Sequence, residues 1–324
     1  MIKSSKILKI AIRILEKNLG VKPEETIAII TDTQMVNTAK LFKKACEFIN
    51  IDPIVKIMSP AKYRGEEPPD EVRQVMEMSD VAILVTTFSL SHTYARLSST
   101  KKGTRIASMG SVTTDMFQYG LSADYDLVAK RTKKLSKYLN NGSTVEINTR
   151  AGTNLKFSIA NRTSADPDDG LYVNPCQWGN LPAGEAFIAP IENSASGILV
   201  ANSTISPLGF LKETIILTIN KGRIVKISGN KEARKFESFI KSVNDQKAYM
   251  VAEFGIGTND KAKLIGKIIE DEKILGTAHI GFGTNLDFGG VNKSKTHYDI
   301  LILSPTIIID RKTIIHSGKF RIKL

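Results

Sequence analysis

The chain has 324 residues, of which 42% are hydrophobic and 24% charged, with a formal net charge of +12. That length supports two domains with sizeable cores, and the balance is that of an ordinary globular protein rather than a disordered one. The basic residues are scattered, as in Lys231, Arg234 and Lys235, with no dense run and no aromatic platform, which argues against nucleic acid as a partner.

Cys46 and Cys176 are too few for a disulfide framework and fit a reducing cytoplasm. No apolar run approaches the roughly 20 residues that span a bilayer, so no membrane partner is expected. From the N-terminus, Ile7, Leu8, Ala11, Ile14 and Leu15 repeat at helical spacing with Glu16 inside the pattern. This predicts a surface helix over about 4–19 rather than a targeting peptide. A strand at 26–30, a helix at 35–49, a strand at 53–57, a helix at 69–79 and strands at 81–85 and 105–109 follow, and helical patterns fill much of 112–140. Strands as apolar as Val81-Ala82-Ile83-Leu84-Val85 are covered on both faces. Residues 1–141 therefore read as a doubly wound parallel α/β domain. Neither a Gly-x-Gly-x-x-Gly after the first strand nor a P-loop motif is present, so nucleotide binding loses its main support.

The character changes at Asn140-Asn141-Gly142-Ser143. Short alternating segments follow at 144–148, 154–159, 186–190, 198–201, 214–219 and 223–228, with a hairpin turn at Asn220-Lys221-Gly222. Helices are predicted over 230–242 and 261–272. Residues 142–324 thus read as a β-rich α+β domain.

Chemistry concentrates in this second part. In Thr296-His297-Tyr298-Asp299, an apolar strand follows His-x-Asp, and strand alternation puts His297 and Asp299 on one side, about 7 Å apart along the chain. That suits two ligands of one metal or a histidine oriented by a carboxylate, with Tyr298 facing away. Glu253 is the one charge in an apolar strand, and Glu185 has a similar setting; each reads as an exposed strand residue, a paired core acid or a ligand. His279 follows the helix expected at 261–272 and opens a glycine-rich turn, which reads as a bend or as a close approach to substrate. His92 lies past the third strand of the first domain, where parallel sheets expose functional groups. Glu270-Asp271-Glu272 reads as a solvated helix end, and His316 as surface.

Taken in order, Asn180-Leu181-Pro182-Ala183-Gly184-Glu185, Glu253 with its neighbours, Gly276-Thr277-Ala278-His279-Ile280-Gly281-Phe282-Gly283 and Thr296-His297-Tyr298-Asp299 resemble the thermophilic metallo-aminopeptidases of the aminopeptidase T and S type. The resemblance implies a dimeric two-domain protein, with Glu185, Glu253, His279, His297 and Asp299 holding one or two divalent ions such as zinc, cobalt, manganese or magnesium. Three carboxylates and two neutral imidazoles leave a net charge of minus three, which two divalent ions turn to plus one, with room for a bridging hydroxide. Two departures stand out: the peptidases carry a tyrosine where this chain has Leu286, and the segment from His279 to His297 is trimmed.

The leading expectation is a cytoplasmic, homodimeric metal-dependent aminopeptidase acting on small peptides, with Glu185 or Glu272 shuttling the proton. The alternative is that of shorter relatives resembling non-haem iron(II) dioxygenases that open dihydroxypyridine rings, with a His/His/Asp site and His92 as acid or base. A third reading is a binding protein that kept the scaffold without the chemistry.

Overall fold

The computed structural model describes residues 2–63, 65–163 and 167–324. The chain divides into two compact units, the first comprising residues up to Tyr125 together with Gly170–Ala183, the second Asp126–Asp169 with Gly184–Leu324.

In the first unit β1 (Ile27–Asp32), β2 (Ile54–Met58), β3 (Val81–Val85) and β4 (Arg105–Ser108) alternate with α1 (Ile2–Arg13), α2 (Val36–Phe48), α3 (Asp70–Met78) and α4 (Tyr94–Lys101). The last turns of the expected first helix are widened into a π-helix over Ile14–Asn18, where the Leu19 amide donates to the Ile14 carbonyl. β1, β3 and β4 are buried along their whole length, as their apolar sequences require. Ala28, Ile30, Leu84 and Ile106 pack with Val72 and Met76 of α3 and Ala95 of α4.

After α5 (Tyr125–Asn140), β5 (Thr144–Asn148) and β6 (Asn154–Ser158), the chain returns to the first unit as β7 (Trp178–Asn180), which pairs in parallel with β4. The sheet order is β2-β1-β3-β4-β7. The Trp178 ring carries the Arg96 guanidinium at 3.8 Å, a cation–π contact that fastens this short strand. A boundary drawn at residue 141 lies at the end of α5, whose residues from Asp126 belong with the second unit, and such a scheme contains no returning strand.

The second unit is a sandwich of antiparallel sheets. One has the order β11 (Gly209–Phe210), β10 (Thr204–Ile205), β16 (His297–Ile302), β15 (Ala278–Gly283), β14 (Val251–Gly257), β8 (Glu185–Ile188). The other runs β13 (Arg223–Gly229), β12 (Ile215–Asn220), β9 (Ser196–Ala201), β6, β5, β17 (Thr306–Ile309), β18 (Lys312–His316), β19 (Lys319–Phe320). The β12–β13 turn has positive φ at Lys221 and Gly222, as the sequence there predicts. Ala186, Ile188, Phe254, Ile256, Ile280, Phe282, Tyr298 and Ile300 form the inner face of the first sheet, and Phe157 of β6 meets Phe254 edge-on at 5.2 Å. Tyr298 stacks on Phe282 and donates its hydroxyl to the Ala248 carbonyl at 2.9 Å.

α6 (Lys231–Ser242) forms as predicted, but only α7 (Ile268–Asp271) appears where a helix over 261–272 was expected. Carboxylates capture the amides that such a helix would use. Lys263 N donates to Glu270, Ile265 N and Gly266 N donate to Asp271, and Thr204 donates a hydroxyl to the same Asp271. Glu270, Asp271 and Glu272 are accordingly buried, not the solvated helix end their sequence suggests. No helix among the described residues is long and apolar enough to cross a membrane.

Candidate metal centre

The outer face of the β8–β14–β15–β16 sheet carries the candidate ligands, and strand alternation explains why. Ala278, Ile280 and Phe282 take the core side of β15, leaving His279, Gly281 and Gly283 on the other. His279 thus sits within a regular strand, correcting its placement in a turn; Gly255 of β14 and Gly281 clear space rather than bend the chain. A Cβ on Gly255 would lie 2.1 Å from the His279 ring, and one on Gly281 would lie 2.9 Å from both Asp299 and His297 and 2.8 Å from Glu253.

Glu253 reaches this face through an irregularity. Val251 pairs with Phe282, yet Glu253 pairs with Gly281, so Ala252 is an extra residue in β14. This bulge keeps Val251 in the core while turning Glu253 to the opposite side. On β16, His297 pairs with Gly283 and Asp299 with Gly281, and at the far edge Glu185 pairs with Gly257.

The five expected ligands converge. His297 Nε2 lies 3.0 Å from Asp299 Oδ1 and 3.1 Å from Glu253 Oε2, while His279 Nε2 lies 3.4 Å from both Glu253 Oε1 and Glu185 Oε2. Three overlapping groups, Glu185/Glu253/His279, Glu253/His297/Asp299 and Glu272/His279/Asp299, each have donor atoms within 4.8 Å of one another. Ligand bonds of about 2.0–2.2 Å would place neighbouring donors at such separations. His297 Nδ1 donates to the Thr284 carbonyl at 2.9 Å, which turns Nε2 toward Asp299 and Glu253. Glu185 Oε2 and His279 Nδ1 are buried without a hydrogen-bond partner. The donor set therefore fits a divalent ion.

The electrostatics follow from burial and proximity. Burial raises the Glu185 carboxyl to about 8, despite the opposing charge of Lys273. Burial would also raise Glu253, but hydrogen bonds from His279 and His297 outweigh it and hold the carboxyl below its usual range. Asp299 is lowered too, the charge of and hydrogen bond from His297 prevailing over burial. Burial disfavours an imidazolium at His279, yet the Glu253 hydrogen bond and the charges of Glu185 and Glu253 raise it to about 9. His297 is raised against burial by Asp299 and Glu253.

Glu272, expected as a proton shuttle, is a buried member of the cluster. His92 is exposed in the turn before α4 of the first unit and belongs to none of the three donor groups. Sequence reasoning missed Lys273 and Asp168. Lys273 Nζ is 2.5 Å from Glu185 and 2.8 Å from Glu272, with Asp168 at 3.4 Å. The lysine directly after three acids was the available signal.

Comparisons with known proteins bear on this site. A curated 2,5-dihydroxypyridine 5,6-dioxygenase of Pseudomonas putida KT2440 is 25% identical over 258 residues, 76% of this chain and 72% of that protein. The solved structure of 2,5-dihydroxypyridine dioxygenase from the same organism superposes with a TM-score of 0.85 at 19% identity, covering 99% of this chain and 98% of the other. AmpT from Thermus thermophilus matches with a TM-score of 0.72 at 14% identity, covering 98% and 99%, and shows a shared fold. The model of the NicX family, 2,5-dihydroxypyridine 5,6-dioxygenase, matches residues 7–322. These findings overturn the leading expectation of an aminopeptidase-type hydrolase and of a role in proteolysis, and agree with the shorter relatives named as the alternative. The protein belongs to the 2,5-dihydroxypyridine 5,6-dioxygenase family of enzymes.

Proposed function

We propose that the protein is an iron(II)-dependent dioxygenase that opens the ring of a dihydroxylated pyridine, with the 2,5-dihydroxy isomer as the first substrate to test. The observation that carries this reading is that His279, His297 and Asp299 share one sheet face, with Asp299 offering a donor within 4.8 Å of each histidine, in a chain of this family. Two imidazoles and a carboxylate leave coordination positions open, the donor set suited to non-haem iron(II). When bound, the ferrous ion supplies the redox chemistry that lets dioxygen react with an electron-rich ring.

The chain's own residues supply charge, orientation and proton handling. Asp299 and Glu253 would balance the charge of a divalent ion, and the Thr284 carbonyl fixes the His297 tautomer. Burial pushes the Glu185 carboxyl up, which favours its carrying a proton. Its Oε2, beside His279, is placed to exchange that proton with a ring hydroxyl, and buried Glu272 is a second carboxyl able to take part.

The test is oxygen uptake by protein purified without oxygen, loaded with iron(II) and supplied with 2,5-dihydroxypyridine. The expected result is one dioxygen consumed per ring opened, with loss of the aromatic absorbance and no turnover by the zinc-loaded protein. Bound iron without oxygen uptake on any dihydroxypyridine overturns the proposal.

A further inference from the structure

Lys273 is fully buried, and its ammonium faces Glu185, Glu272 and Asp168. Its backbone is pinned there. The Lys273 amide donates to the Glu270 carbonyl at 3.1 Å, and its carbonyl accepts from Asn259 N at 2.9 Å. Gly257 makes the approach feasible, since a Cβ there would stand 2.1 Å from the Ile274 carbonyl oxygen. Asp168 is held across from Glu185 by amides of Gly184 and Glu185, which both donate to the Asp168 carbonyl. The position of this cation is thus fixed by the surrounding strands rather than by a flexible surface stem.

We propose that Lys273 is a built-in counter-cation that withdraws Glu185 and Glu272 from metal binding and so limits the centre to one divalent ion. The inference rests on the metal-centre reading above and deepens it. The buried acids fall into two sets. Glu253 and Asp299 contact the imidazoles, and their two negative charges match one divalent ion. Glu185, Glu272 and Asp168 lie around the ammonium, Glu185 giving it Oε1 at 2.5 Å while its Oε2 stands farther off, 3.4 Å from His279. A second divalent ion drawing on Glu185 and Glu272 would compete with Nζ for the same two carboxylates, and like charges repel strongly where water is scarce. Removing the lysine would leave three buried carboxylates without their cation, a condition that a second metal ion relieves. Glu185 thereby becomes a proton-handling group rather than the ligand expected from the sequence.

The test is manganese stoichiometry of the full chain after equilibration with excess Mn²⁺, read by elemental analysis and electron paramagnetic resonance. Wild type is expected to hold one equivalent with the signal of an isolated ion. Lys273→Met is expected to hold two, with a spin-coupled signal and a melting temperature that rises more with Mn²⁺ than that of wild type. If Lys273→Met does not fold, Glu185→Gln carries the test, and it is expected to keep one equivalent. Two equivalents in wild type, one in a folded Lys273→Met, or metal loss in Glu185→Gln each overturn the proposal. Wild type that binds no manganese instead brings down the metal-centre reading beneath it.

Discussion

Gly255 stands directly opposite His279 in the β14–β15 ladder, and a methyl group on it would occupy the imidazole's place, 2.1 Å from Nε2. The glycine has ordinary strand geometry, so its role is to leave room. Gly255→Ala is therefore expected to retain the fold while displacing the ring and weakening metal affinity at least about tenfold, the loss usual when a ligand's orientation is disturbed. Equilibrium dialysis beside circular dichroism checks this; unchanged affinity would mean the imidazole is not held at that spot.

His297 and Asp299 are expected to be indispensable to metal binding. His297→Ala and Asp299→Asn each remove a donor from the Glu253/His297/Asp299 group. Both variants are expected to lose more than about a hundredfold in affinity, beyond the range for supporting residues. They should also lose the thermal stabilisation that metal confers on wild type. Wild-type metal content in either would remove that residue from the ligand set.

The buried charges predict a pH dependence for the metal-free protein. His279 is raised to about 9 from an ordinary 6.5, and Glu185 to about 8 from 4.5. Between those limits the folded chain binds more protons than the unfolded one, so stability falls as pH rises. The His279 contribution is complete below 6.5 and lost through about 9, while the Glu185 penalty grows from 4.5 to about 8. Glu253 and Asp299, both lowered, lose their contribution on the acid side as pH falls through their depressed values. Urea midpoints of chelator-treated protein should thus be higher near pH 6 than near pH 9. Metal binding must also displace protons from the imidazoles, so affinity should rise over the same range, with proton release detectable by calorimetry in buffers of different ionisation heat. A flat or reversed trend would contradict the protonation states described.

Tyr298 lies between two site residues in sequence and on the opposite face in space. Tyr298→Phe keeps the stacking on Phe282 but leaves the Ala248 carbonyl without its donor. The expected cost is about 1–2 kcal/mol of stability with unchanged metal content. Loss of metal with no loss of stability would place the phenol in the site instead.

Much of this architecture is determined by local pattern. The fully apolar strands of the first unit, the alternation in β5, β6 and β12, and the hairpin at Asn220-Lys221-Gly222 follow from side-chain periodicity, which is a property of neighbouring residues. So does the shared face of His297 and Asp299, because alternation within one strand needs no partner. Other features depend on what approaches from elsewhere in the chain. β7 is three residues long and has no pattern of its own; a parallel partner and the Arg96 contact make it a strand. Glu253 faces the site because one extra residue in β14 shifts its pairing, and Gly255 of β14 and Gly281 of β15 are spaces shaped to neighbouring imidazoles and carboxylates. Glu270, Asp271 and Glu272 read as a solvated helix end, yet they and the Lys273 that follows are buried because amides, a hydroxyl and opposing charges distant in sequence satisfy them there. Periodicity records which side of an element a residue takes, whereas the free energy of burying a charge depends on partners that only the folded chain brings within reach.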